Sequence, residues 1–92
     1  MNRAQYSVAA FMMFVRDTAM ESDIPRRKRI EIDAAIKNMG LDPSELSSSE
    51  KDESFSDLAD MRLIHNDGER WFLAPEIAEW LRIPEEAAEP PE

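Results

Sequence analysis

The 92-residue chain contains no cysteine, two glycines and one histidine. Without cysteine it has no disulfide, no thiolate nucleophile and no zinc site built on sulfur ligands. Gly40 and Gly68 lie too far apart to form a glycine-rich loop that cradles a phosphate. His65 stands beside a turn sequence and outside any catalytic or metal-binding motif. We therefore expect a protein that is not an enzyme and that needs no metal ion or cofactor.

Long apolar segments are also missing. The longest apolar run, at 8–15, has eight residues, whereas a membrane-spanning helix needs about 20. Only one basic residue, Arg3, precedes the run, and no small-residue cleavage site clearly follows it, so it does not fit a signal peptide. The sequence predicts a cytoplasmic protein without membrane contact, in which this run belongs to a buried helix.

Acidic residues outnumber basic ones by 20 to 11, which gives a formal net charge of −9. Segment 42–60 holds seven acids against Lys51, and segment 84–92 adds four glutamates. One short block of bases opposes them: Arg26, Arg27, Lys28 and Arg29. Solubility alone accounts for a charged surface of this kind, but such a surface also attracts partners of opposite charge.

The first helix is predicted over 3–21, because apolar residues recur there with helical spacing. Its middle is apolar on nearly all sides, which is unusual for a surface helix of a small monomer. Either the helix runs through the centre of the fold, which we favour, or one face meets a second copy. The residues of a possible dimer face are Val8, Phe11, Met12 and Val15.

Two further helices are predicted before the hairpin. One spans 26–39 and ends at Gly40, a residue typical of helix C-termini. Asp42 then caps a short helix, with Glu45 three residues later as in a capping box. After a serine-rich interruption, another helix is predicted from about 50 to 61.

A hairpin and a last helix complete the pattern. The Asp-Gly pair at 67–68 predicts a tight turn that places Ile64 opposite Trp71. Pro75 opens the final helix, where Trp80 continues an apolar stripe. Both tryptophans are predicted to serve the core rather than an interface. The expected fold is mainly α with one β-hairpin, formed as a single domain over 1–83, and the proline- and glutamate-rich tail at 84–92 is predicted to be disordered.

Segment 58–81, LADMRLIHNDGERWFLAPEIAEWL, resembles bacterial winged helix-turn-helix regulators. It has a leucine-bearing helix end, a Leu-Ile strand, an Asp-Gly tip, an aromatic return strand and a Pro-Glu helix start. The resemblance implies a winged-helix-like domain, a fold that serves both DNA binding and protein interaction. Its wing would comprise Asn66, Asp67, Gly68 and Arg70.

In such regulators the helix before the hairpin lies in the major groove and carries basic and amide side chains. Here that region is acidic, and carboxylates repel the phosphates on which DNA affinity depends. The main hypothesis is therefore a small regulator or inhibitor, of the kind found in phages and other mobile elements. It would act as a DNA mimic by occupying a basic surface of a partner protein, such as one that otherwise binds nucleic acid. The acidic face proposed for this contact comprises Glu45, Glu50, Asp52, Glu53, Asp57 and Asp60.

Two alternatives stay open. The chain could be a dimeric DNA-binding regulator that pairs through its first helix and contacts DNA through the basic block and Arg70. It could also be a structural subunit of a larger complex. A simpler interpretation of the basic block is that it pairs with acids nearby in the sequence: Glu21, Asp23 and Glu31.

Overall fold

A computed structural model describes residues 1–21 and 23–81 of the chain. This part forms, in order, α1 (Arg3–Met20), α2 (Arg29–Asn38), a short 3-10 turn (Pro43–Glu45), α3 (Ser48–Asp60), β1 (Ile64–Asn66), β2 (Trp71–Leu73) and α4 (Pro75–Leu81). The prediction of one small, mainly α domain with a β-hairpin is confirmed. Within the same residues, no helix combines the length and apolarity needed to cross a membrane. The predicted tail at 84–92 lies outside the described residues.

Helix α1 lies at the centre of the fold and contacts α2, α3, α4 and β2. Its start is fixed by a capping box: the Gln5 N–H donates to Asn2 Oδ1 (2.8 Å), and the Asn2 N–H donates to Gln5 Oε1 (2.9 Å). The buried side chains are Tyr6, Ala9, Ala10, Met13, Phe14 and Thr18.

The apolar face that the sequence placed on a possible dimer surface is only partly buried. Phe11 and Val15 pack against the edge of the core, but Val8 is 61% exposed and Met12 is 55% exposed. Because the helix is apolar on nearly all sides, its periodicity alone does not select the face that α2 and α3 cover.

The centre of the core is an aromatic cluster around Phe55 of α3, which is wholly buried. Its ring centroid lies 5.3 Å from that of Trp71, 5.8 Å from Phe14 and 6.1 Å from Tyr6. The contacts with Phe14 and Trp71 are edge-to-face, and such contacts add to the stabilisation from area burial alone. Phe55 therefore joins α1, α3 and the hairpin.

Helix α2 begins at Arg29, three residues later than predicted. The preceding segment is extended, and Arg27 forms an antiparallel bridge with Trp71 through two backbone hydrogen bonds of 2.8 and 2.7 Å. Lys28 is the N-cap residue, and its N–H donates to the Glu31 carboxylate (2.7 Å). Residues 26–28 are therefore extended because of the bridge to β2, and α2 begins where the Glu31 carboxylate caps it.

Helix α3 is also set by side-chain caps. The Glu50 N–H donates to Ser47 Oγ and the Ser47 N–H donates to Glu50 Oε1, each at 3.1 Å, so the helix starts slightly before the predicted position. Asp42 caps the 3-10 turn by accepting from the Ser44 N–H (3.0 Å). The predicted capping role of Glu45 is wrong, because its carboxylate instead binds the N-terminal ammonium group at 2.7 Å.

The register of the hairpin differs from the predicted one by two residues. Ile64 pairs with Leu73, and Trp71 pairs with Asn66 instead of with Ile64. The tip of the hairpin therefore lies at 68–69, one residue beyond the predicted Asp-Gly pair.

Side-chain hydrogen bonds explain this shift. The Asp67 N–H donates to the Arg70 carbonyl (2.9 Å), which closes the turn. Asn66 Oδ1 accepts from the Gly68 N–H and Asp67 Oδ1 accepts from the Arg70 N–H, both at 2.8 Å. Gly68 has a φ of 114° as the first central residue, the place where a type II′ turn takes glycine. The short polar side chains thus stabilise a turn that starts at Asp67.

Candidate functional site

Four carboxylates share one surface of α3: Glu50, Glu53, Asp57 and Asp60. Their spacing of three, four and three residues places them on one side of the helix. The side chains of Glu53 and Asp57 are 60% and 51% exposed. We call this set the α3 carboxylate face. It brings together four of the six acidic residues that the sequence singled out.

A single base from α1 lies over this face. Arg3 binds Glu53 at 3.0 Å and also donates to Asp57. The hydrogen bond to Asp57 and the charges of the neighbouring acids raise the pKa of Arg3, so it stays protonated. Arg3 offsets one of the four negative charges and holds two carboxylates in a fixed relative position.

The other two predicted acids lie elsewhere. Asp52 projects from another side of α3 and binds Arg29 Nε at 2.9 Å. Glu45, in the 3-10 turn, binds the N-terminal ammonium group. The number of acids in a segment does not show which of them are paired. Because the partners of Asp52 and Glu45 are distant in the sequence, the sequence did not distinguish these two residues from the α3 carboxylate face.

The basic block does not form one patch. Arg26 stacks on the ring of Phe72, 4.2 Å from its centroid, and lies 3.4 Å from Asp67. Arg27 turns toward α1, where it binds Asp17 (3.2 Å) and Glu21 (3.7 Å).

The two remaining bases differ from each other. Lys28 is exposed at the start of α2, while Arg29 binds Asp33 (3.1 Å) and Asp52. Pairing within the chain, including the expected contact of Arg27 with Glu21, therefore accounts for most of the block.

The hairpin tip is exposed and carries both signs of charge. Backbone N–H groups of Arg70 and Glu69 donate to Asp67, and these hydrogen bonds lower the pKa of that carboxyl. The carboxylate of Asp67 is therefore used within the turn and in the contact with Arg26.

One of the two tryptophans does not serve the core as predicted. Trp71 is partly buried against Phe55, but Trp80 is 78% exposed. The buried residue of α4 is Ala78. Of the predicted apolar stripe, Ile77 packs against the core, whereas Trp80 and Leu81 are exposed.

Sequence reasoning missed a charged cluster that joins three helices. Asp33 of α2 accepts a hydrogen bond from Tyr6 of α1, and its Oδ2 lies 3.1 Å from Arg29 and 3.4 Å from Lys51 of α3. The side chains of Asp33 and Lys51 are each only 14% exposed. The four-residue spacing of Arg29 and Asp33 was the one local signal of this cluster.

The alkaline limit of stability is expected to depend on Tyr6, the only tyrosine in the chain. Burial, together with the hydrogen bond to Asp33 and its charge, raises the pKa of Tyr6 above its ordinary value. In the unfolded chain, Tyr6 loses its proton near its ordinary pKa. The stabilisation from the buried, protonated tyrosine is therefore present below about pH 10 and is lost as pH rises further. Absorbance of tyrosinate is the measurement: in urea it should appear near the ordinary pKa, and in the native protein only when the chain unfolds.

The control for this prediction is Tyr6→Phe. Its free energy of unfolding should be lower at neutral pH but should decline less steeply above about pH 10 than that of the wild type. A native tyrosine that ionises near its ordinary pKa, without unfolding, would contradict the buried contact with Asp33.

Comparisons with family models, curated proteins and solved structures find no match to this chain. Among the described residues, no group of three or more His, Cys, Asp or Glu side chains is arranged to hold a metal ion. The function is therefore inferred from the surfaces of the molecule itself.

Proposed function

We propose that this protein is a small, non-enzymatic binding module that engages a basic surface of another protein through the α3 carboxylate face. A natural target is a surface that otherwise binds nucleic acid, so that the module acts as an inhibitor by mimicking the polyanion. The observation that carries the proposal is the alignment of four acids along one exposed side of α3.

Geometry supports mimicry over mere solubility. Along the helix axis, a spacing of three to four residues separates successive acidic residues by about 4.5–6 Å, so the negative charges form a regular row. Arg3 holds Glu53 and Asp57 in place. A pre-positioned row of charges loses less entropy on binding than mobile side chains would.

The order of elements supports a winged-helix architecture for this module. Helices α1 and α2, the 3-10 turn, α3, the hairpin and α4 follow one another as in the regulators that segment 58–81 resembles. In that arrangement α3 takes the place of the DNA-contacting helix. We infer that the fold is used here with the opposite charge on the binding helix.

DNA binding by the chain itself is the competing proposal. The ion pairs of the basic block make it less favourable. Arg26, Arg27 and Arg29 are each engaged by acids of the same chain. Phosphate contacts would have to replace those ion pairs while the α3 carboxylate face repels the same polyanion.

Affinity capture from a nuclease-treated extract of the source organism tests the proposal. One variant combines Glu50→Gln, Glu53→Gln, Asp57→Asn and Asp60→Asn, and is expected to lose at least about tenfold of the captured partner, because complementary charge is removed. The matched control combines Asp23→Asn, Glu69→Gln, Glu76→Gln and Glu79→Gln, which raises the net charge equally at other exposed sites. It should retain the partner.

Equal loss in both variants would mean that only the overall charge matters, and no loss in either would mean that the acids only solvate the surface. Anisotropy of a labelled duplex, at low and moderate salt, completes the test. We expect no binding to DNA at either salt concentration. Tight binding at low salt that weakens when Arg26, Arg27, Lys28 and Arg29 are neutralised would favour the DNA-binding alternative.

A further inference from the structure

A second surface, an apolar groove, lies between α1 and the chain that follows α2. Its walls include Val8, Ala9 and Met12 on one side and Met39, Gly40 and Leu41 on the other, and it encloses about 780 Å³. Four of these residues belong to the exposed large apolar side chains of the molecule: Val8, Met12, Met39 and Leu41. On a soluble domain this size, such a concentration of exposed apolar side chains marks an interaction site.

The shape and lining of the groove suit a helix. From Ala4 to Met12 its α1 wall extends for about 12 Å, or a little over two helical turns. A helix of that length presents apolar anchors at positions i, i+3 or i+4, and i+7. Methionine side chains are unbranched and adapt to the surface of a partner, and both Met12 and Met39 line the groove.

Charge selects among possible occupants. Asp42 and Glu45 also line the groove. Because Glu45 is paired with the N-terminal ammonium group at 2.7 Å, Asp42 is the carboxylate available to a cationic occupant. Hydrogen bonds from Ser44 lower the pKa of Asp42, so this carboxyl is ionised at neutral pH. A second copy of the chain would bring the same two acids and another net charge of −9, which opposes self-association. A cationic segment would instead be attracted.

We propose that this groove binds an amphipathic, basic helix of a partner protein, with its apolar side toward Met12 and Met39 and a lysine or arginine near Asp42. The site goes beyond the proposed function and does not depend on it. Arg3 and Met12 are nine residues apart on α1, so they point in opposite directions, about 180° apart. The groove and the α3 carboxylate face therefore lie on opposite sides of α1 and can be altered separately.

The test uses the full chain with ¹³C-labelled methionine methyl groups and a synthetic lysine–leucine peptide of about four helical turns. The six methionines give one signal each. Addition of the peptide should shift the signals of Met12 and Met39, and should leave that of Met61, which is 59% exposed at the end of α3, unchanged. Equal shifts at all three positions, or at Met61 alone, would overturn the proposal.

Two peptides and two variants make the outcome decisive. A peptide of the same composition with its apolar residues scrambled, and one with glutamate in place of lysine, should each bind at least about tenfold more weakly. Met12→Lys should weaken binding by a similar factor, because it places a like charge in the groove. The double change Glu76→Gln and Glu79→Gln, at exposed sites of α4 outside both surfaces, removes the same charge and should leave the affinity within about twofold.

Two results would count against the groove as a helix-binding site. Equal binding of the scrambled peptide would reduce the effect to charge attraction. A dimer in sedimentation equilibrium that Met12→Lys dissociates would show that a second copy occupies the groove. Neither result bears on capture through the α3 carboxylate face, so the two proposals fail independently.

Discussion

Replacement of Phe55 with alanine is expected to lower the free energy of unfolding by about 3–5 kcal/mol, the range for truncation of a buried phenylalanine. Phe55 has no exposed surface, and its ring contacts those of Tyr6, Phe14 and Trp71. Alanine would leave a cavity among three elements that cannot all move inward. A domain of 92 residues has a total stability of about 5–14 kcal/mol, so this loss is a substantial fraction of the total.

Urea unfolding followed by circular dichroism measures this loss. Phe55→Leu keeps most of the volume and should cost less than half as much as alanine. Met61→Ala on the same helix provides the surface control, since Met61 is 59% exposed, and should change the stability by less than about 0.5 kcal/mol. A loss below about 1 kcal/mol for Phe55→Ala would contradict the central place of this ring in the core.

The sequence predicted well the elements whose determinants are local. The bounds of α1 differ from the prediction by one residue, and α4 begins at Pro75 as expected. These features depend on signals that act within one or two turns of the chain. The signals are the helical spacing of apolar residues, the proline at the start of α4 and the glycine after α2. Gly40 has a φ of 90°, as a helix-ending glycine requires.

The predictions that were wrong mostly concern features set by contacts between residues that are distant in the sequence. Arg27 leaves the helical conformation because its backbone pairs with Trp71, 44 positions later in the chain. The exposed side of α1 depends on which of its apolar surfaces α2 and α3 cover, and its composition is nearly even all round. The hairpin tip is a subtler case, because the capping side chains of Asn66 and Asp67 outweigh the preference of an Asp-Gly pair for the centre of the turn.

The residues of the candidate site likewise fall into a set that could be predicted from the sequence and a set that could not. The alignment of Glu50, Glu53, Asp57 and Asp60 follows from helical spacing and was accessible from the sequence. The scattering of the basic block among acids of α1, α2, α3 and the hairpin was not, since it requires the tertiary arrangement.

These contacts give the two charge types different roles. Most bases of the basic block pair with acids of the same chain, whereas Glu53 and Asp57 of α3 are exposed and share Arg3 as their partner. The two surfaces proposed for binding are therefore distinct: exposed carboxylates lie on one side of α1 and the apolar groove on the other. A partner that is basic and partly helical could contact both.

Replacement of Asp33 with asparagine is expected to cost about 2–3 kcal/mol of stability, below the range for a fully buried ion pair because some solvent reaches the site. Asp33 is the common acceptor for Tyr6, Arg29 and Lys51. Asparagine keeps the shape but removes the charge, and Lys51, only 14% exposed, then lacks its counter-ion. Arg29 suffers less, because Asp52 still binds it.

A double-mutant cycle distinguishes this loss of pairing from a loss of packing. Lys51→Met alone should destabilise the protein, but in the Asp33→Asn background it should cost about 1–2 kcal/mol less, since the unpaired ammonium group is then absent. Asp60→Asn is the control, because a carboxylate in the last turn of a helix opposes the helix dipole and its removal should bring no measurable loss. Costs that simply add would show that Asp33 and Lys51 act independently. A coupling of the expected size would instead show that the ion pair of Asp33 and Lys51 joins α2 to α3.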